Sequence, residues 1–179
     1  MYTAAREGNL AGHGYSGGLV HDETKIKEGL VLSMKGGYPN LIGWLDTGEE
    51  NMHANILKTN AMQVKLATHV WQIVFIGYTR FRFPVCHFPT TGVNASELHT
   101  ILWSVVKKLC DWGFHVNFII QDGGQENRKF VKSNFRGDPL EKKYVSPNLV
   151  DPSVEVAHVQ DFSHNMKKIR NSILTSGHK

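Results

Sequence analysis

The order of apolar and polar positions lays out the chain before any single residue does. Residues 17–27, GGLVHDETKIK, open on an apolar run and alternate as they leave it, which predicts a strand; residues 29–34, GLVLSM, predict its neighbour or hairpin partner. The breaker cluster KGGYPN at 35–40 precedes a third short strand, LIGWLD at 41–46, so an antiparallel meander is expected. Residues 47–68 are polar, and Met52, Ile56 and Leu57 have helical spacing within a segment that also suits an irregular connection. HVWQIVFIGY at 69–78 is almost continuously apolar and β-branched, the pattern of a strand buried on both faces. FRFPVCHF at 81–88 carries Pro84, which has no N–H for a ladder, and so predicts an edge strand.

The clearest helix follows. Asn94 and Glu97 have capping-box spacing, Leu98, Ile101, Leu102, Val105, Leu109 and Trp112 make one apolar stripe, and Gly113 stands where a left-handed cap is needed. VNFIIQ at 116–121 is a strand, Asp122 and two glycines a turn, and residues 125–134 a short basic helix. Residues 136–153 hold three prolines and predict a linker, and VEVAHVQD beyond them a strand. Asp161 then caps a helix with an apolar stripe of Phe162, Met166, Ile169 and Ile173. Residues 1–16, rich in Gly, Ala and polar side chains, predict a flexible lead-in. The whole is an α/β layout: a mixed sheet flanked by helices, its early strands antiparallel and 116–121 joined through a crossover.

Composition narrows the class. A chain of 179 residues with 41% hydrophobic residues and nine Phe fills one core, and no apolar run approaches the roughly 20 residues that span a bilayer. MYTAAREGNLAGHG lacks the apolar centre of a signal peptide, so a soluble chain without a membrane partner is expected. Cys86 and Cys110 have no metal-finger spacing and read as reduced thiols; Asn94-Ala95-Ser96 then reads as a helix start rather than a glycosylation site. The net charge of +4 is uneven: residues 1–104 hold 8 Lys/Arg against 8 Asp/Glu, and residues 105–179 hold 12 against 8. That asymmetry suits a polyanion partner, although charged helix faces alone also produce it.

Carboxylates carry the candidate chemistry. Asp22 and Glu23 interrupt the best apolar stretch of the first strand, and alternation sends them to opposite faces. Asp122 closes the strand after the long helix. On adjacent strands Asp22 and Asp122 would share one site, where two carboxylates repel unless a cation lies between them. Mg²⁺ suits such hard oxygen ligands, and paired ions of this kind serve phosphodiester cleavage. An Asp before a Gly-Gly turn is more often a turn residue or cap, so the residues alone go no further than a candidate metal-dependent nuclease-like site.

HDETKIKEGL with GWLD beyond it resembles the start of the RNase H-like catalytic domain of P-element-type transposases, including the THAP-domain transposase homologues. The likeness runs on through FRFPVCHFPTTGVNASELHTILWSVVKKLCDWGFHVNFIIQDGGQENRKF, with its DG turn and NR pair. It ends in QDFSHNMKKIRNSI, similar to the D-x-x-H-x-x-K-x-x-R-N segment where the family's GTP-binding insertion domain begins. The resemblance implies a DDE transposase core over 17–135 and a truncated insertion-domain start over 154–179. Asp22 and Asp122 would be the first two catalytic, metal-binding carboxylates, with Mg²⁺ or Mn²⁺ as cofactor. DNA, as transposon ends and target, would be the partner in the full-length protein, with self-association and a nuclear location.

The family's third acidic residue falls outside these 179 residues, and its zinc-dependent DNA-reading domain is absent. The resemblance therefore implies a fragment, inactive by itself, for which GTP binding is not expected. His21 stands where the family pattern leads one to expect an apolar residue. The alternative is a non-catalytic RNase H-like module kept for binding DNA or protein. An unrelated nuclease would need a further carboxylate, and Asp46 and Glu126 are the candidates. His158 and His164 read as capping or packing residues, the four Trp as core, and Lys167, Lys168 and Arg170 as a solvated face.

Overall fold

Apolar runs at the starts of two distant segments pair side by side, and the sheet grows outward from them. The structure is a computed structural model that describes residues 1–34, 40–43, 66–135 and 144–176. They form two compact units: residues 1–21, 74–85 and 94–179, and residues 22–73 and 86–93. In chain order the elements are α1 (Tyr2–Glu7), a 3₁₀ turn (Gly12–Tyr15), β1 (Ser16–Lys25), β2 (Val31–Ser33), β3 (Asn40–Ile42), β4 (His69–Gly77) and β5 (Arg82–Thr90). Then come α2 (Ala95–Asp111), β6 (His115–Gln121), α3 (Gln125–Asn134), β7 (Val145–Pro147), β8 (Glu155–Gln160) and α4 (Phe162–Ser176). The main sheet has the order β5-β4-β1-β6-β8-β7, and β2 and β3 form a separate pair.

In the first unit β1 runs parallel to β6, with Ser16 opposite His115 and Val20 opposite Ile120. β6 runs parallel to β8, and β7 closes that side antiparallel to β8. Parallel neighbours on both sides of β6 go with the complete burial of Ile119, and Val156 of β8, between β6 and β7, is fully buried as well. α2 forms where its capping box predicts: Asn94 Oδ1 accepts from the N–H groups of Ser96 and Glu97 at 3.0 Å, and Glu97 accepts from Asn94 N–H at 3.0 Å. Gly113 ends it with φ +79°. Leu98, Leu102, Val105, Val106 and Leu109 are buried, each worth about 1.5–3 kcal/mol of transfer free energy. The stripe is rotated from the expected one, since Trp112 is 49% exposed and Trp103 is buried instead. Trp103 also ties α2 to α3, its indole N–H donating to Asn134 Oδ1 at 3.0 Å.

In the second unit Val31 pairs with Ile42, and the ring of Trp71 lies 5.8 Å from that of Phe88. Thr68 bridges the ends of two segments, its carbonyl accepting from Ile26 N–H and its own N–H donating to Thr90, both at 2.9 Å.

Several expectations are corrected. β1 is not part of a meander with β2 and β3; it lies inside the six-stranded sheet between β4 and β6, because its apolar first half is buried there and needs a strand on each side. The lead-in at 1–16 contains α1, held by fully buried Ala5. β7 occupies 145–147 of the expected linker, and β8, expected to open an insertion domain, is a strand of the main sheet beside β6. Trp44 and Asp46, most of segment 47–68, and linker residues 136–143 lie outside the described residues. Pro84 falls on β5, at the end of the strand order, as its missing N–H requires.

Candidate active site

His21 is the last residue of β1 in the first unit. It is buried, and its Nε2 lies 3.1 Å from Oε1 of Gln121, the last residue of β6. A buried polar pair of this kind answers the question raised by a histidine where an apolar side chain is expected: each satisfies the other across neighbouring strands. Asp122 follows Gln121 directly, as Asp22 follows His21.

Asp22 is exposed, not buried as its place in an apolar stretch suggested, and its Oδ1 accepts from the N–H of Glu23 at 2.8 Å. Alternation turns Glu23 the other way, where Thr90 Oγ1 donates to its carboxylate. Glu23 is thereby a structural carboxylate that fixes the end of β5.

Asp122 is half-buried at the mouth of a turn that leads into α3. Its Oδ1 accepts from Gly124 N–H at 2.8 Å and from the Asn127 amide. Burial is the largest single influence on its carboxyl and favours the protonated form. The two hydrogen bonds, together with the nearby charges of His164 and Lys168, outweigh burial and hold the pKa below the usual aspartate value. The glycines matter for space rather than for dihedral angles, since neither has a positive φ. A Cβ at Gly124 would lie 2.8 Å from Asp122 Oδ1, and one at Gly123 would lie 2.9 Å from Lys168 Nζ. The Gly123 carbonyl in turn accepts from Arg128 and, at 3.2 Å, from Lys168. Asp161 caps α4 through Ser163 N–H at 2.8 Å and holds His164 Nδ1 at 2.8 Å with its other oxygen.

Among the described residues no group of three or more His, Cys, Asp or Glu side chains comes close enough to form a metal cluster. Each aspartate by itself offers a hard oxygen of the kind such a cation takes: both hydrogen bonds to Asp122 fall on Oδ1, as does the one to Asp22, and among the described residues no donor falls on either Oδ2. Glu126, a candidate further carboxylate, is otherwise engaged. One of its oxygens accepts from Ala95 N–H at 2.9 Å and the other pairs with Lys129 at 2.6 Å, so it braces the start of α2 against α3. His158 is buried in the sheet with Ser146 and has no part in this cluster. Sequence reasoning did not single out Gln121, and it took Asn127 and Arg128 only as the NR pair of the resemblance, without a role for either. The signal for Asn127 was its spacing, five residues after Asp122 and in the first turn of a helix that starts just beyond it.

Parallel central strands, one carrying an aspartate within it and the other running straight into one, with a helix launched after the second, are the layout of an RNase H-like domain. The chain belongs to the TNP-like, RNase H N-terminal domain family, whose model matches residues 12–134. Its fold is similar to that of the Drosophila P element transposase in its strand transfer complex, with a TM-score of 0.64 and 17% identity over 89% of this chain. The chain spans 29% of the length of that transposase chain. The RNase H-like N-terminal region expected from the motifs is thus shown by the family, and its fold is like that of the P element transposase. Curated protein sequences gave no match. No helix among the described residues is long and apolar enough to cross a membrane.

Proposed function

We propose that this chain is the metal-binding half of a DDE transposase core and that Asp22 and Asp122 are its metal ligands. The observation that carries this reading is the hydrogen-bonded pair His21 and Gln121, each followed directly in the chain by an aspartate. Each aspartate has Oδ1 tied locally to backbone and Oδ2 without a donor among the described residues. Mg²⁺ or Mn²⁺, when bound, supplies the positive charge that activates an attacking oxygen and stabilises the leaving one in phosphodiester cleavage. The chain's own part is to orient the ligands. Gly124 N–H and the Asn127 amide hold Oδ1 of Asp122 and keep its carboxyl ionised, so that the other oxygen is available at neutral pH. The substrate by this reading is DNA, cut at transposon ends and joined to a target, in the nucleus and within a self-associating complex. Such a core needs one more carboxylate from outside residues 1–179, so no strand transfer is expected from this chain alone; metal-dependent cleavage by the purified chain would disprove that.

The test is calorimetric titration of the purified chain with Mn²⁺, beside Asp22→Asn and Asp122→Asn. Saturable binding lost in both variants supports the reading. Binding that neither substitution weakens overturns it and leaves an RNase H-like module without this chemistry.

A further inference from the structure

Arg128, from the first turn of α3, and Lys168, from the second turn of α4, both donate to the carbonyl oxygen of Gly123. Two cations brought to one neutral oxygen repel each other, and a carbonyl cancels neither charge. Among the described residues neither forms an ion pair, whereas Lys107 and Lys129 are paired with Asp111 and Glu126. Asp122 feels the field of Lys168 without pairing with it. His164 lies four residues before Lys168, on the same side of α4, and its ring is set by Asp161 through Nδ1. α4 therefore meets the Asp122 turn with its cationic side, and the missing side chain at Gly123 leaves room for the ammonium.

We propose that Arg128 and Lys168, flanked by His164, form an anion subsite that takes a phosphodiester group of a DNA strand beside Asp122. An anion there would relieve the repulsion between the two cations, and the planar guanidinium of Arg128 with the compact ammonium of Lys168 suits the non-bridging oxygens of a phosphate. Both side chains are exposed, which fits one group of an extended polymer better than a small enclosed anion. The choice of DNA rests on the reading above; the repulsion between the cations does not.

The test is fluorescence anisotropy of the full chain with a short labelled oligodeoxynucleotide in EDTA, across a salt series. Arg128→Ala and Lys168→Met are expected to weaken binding, each lowering the slope of log K against log salt by about one, with additive loss in the double variant. Lys168→Arg is expected to retain affinity, and Lys108→Ala, on α2, to bind as the parent does. A double variant with unchanged melting temperature, affinity and salt slope overturns the proposal. Inorganic phosphate bound by the parent and lost in the variants, with DNA binding unaffected, also overturns it in favour of a small-anion site. Because EDTA removes the metal, loss of DNA binding in these variants stands even if neither aspartate binds Mn²⁺. Normal Mn²⁺ titration with unaltered DNA binding sinks the subsite alone.

Discussion

His158 shows what one buried side chain imposes on the rest. It sits on β8 with Phe130 and Phe135 rings 5.8 Å away and Ser146 Oγ 2.9 Å from its Nε2; among the described residues its Nδ1 has no partner. Burial pushes its pKa down to about 4. The folded chain therefore resists a proton that the unfolded chain accepts near pH 6.5. The associated stability is complete above that pH and is lost as pH falls from 6.5 towards 4, by about 3 kcal/mol. Urea midpoints over this range are expected to fall steeply for the parent and less steeply for His158→Leu; equal slopes would show that this histidine is not the group responsible. Asn127 offers a second test at this scale. As a donor to Asp122 it would position the proposed ligand, so Asn127→Ala is expected to reduce Mn²⁺ affinity about ten-fold while leaving saturable binding. Complete loss, or no change, would contradict a positioning role. Asp122 was legible in the sequence because an apolar strand ran straight into it. Asn127 was not, because its role depends on where a helix starts.

At the scale of elements, α2 and α4 share a sequence signature and differ in outcome. Both carry an apolar stripe at helical spacing, and the helix itself was legible in each case. What covers the stripe was not, because periodicity specifies a face and not its neighbour. α2 buries its stripe, with Leu102 at 0% exposure, whereas α4 leaves Phe162, Met166, Ile169 and Ile173 between 47% and 74% exposed. The polar side of α4 meets the Asp122 turn instead, through Lys168. Leu102→Ala is therefore expected to cost about 2–5 kcal/mol in urea unfolding, and Ile169→Ala less than about 0.5 kcal/mol. Comparable costs would mean that α4 packs in solution with its stripe covered. Trp112, read as part of the α2 stripe, falls one position past the end of the helix, where the face has already turned to solvent.

At the scale of the molecule, the α/β class and its mixed sheet were legible because each long apolar run could be assigned a period. The strand order was not. Among the described residues β2 and β3, which follow β1 closely in sequence, pair only with each other, and β8, beyond a proline-rich stretch, returns to β6. Such choices depend on which edges remain unpaired after the core has formed, and no local pattern records that. The same scale carries the last prediction, because a ligand that binds only the folded chain stabilises all of it. At a free Mn²⁺ concentration 100 times its dissociation constant, the gain is about 2.7 kcal/mol, a rise of several degrees in melting temperature. The apo variants sharpen this. A carboxylate crowded by others is relieved by neutralisation, so an Asn substitution there raises the metal-free melting temperature. Asp122 is instead held ionised by two hydrogen bonds and two nearby charges, so Asp122→Asn is expected not to raise it. The Mn²⁺-dependent rise is expected to vanish in Asp122→Asn and to persist in Lys168→Met. A rise that survives Asp122→Asn would place the ion elsewhere, and one lost in Lys168→Met would mean that the cation works through the aspartate rather than beside it.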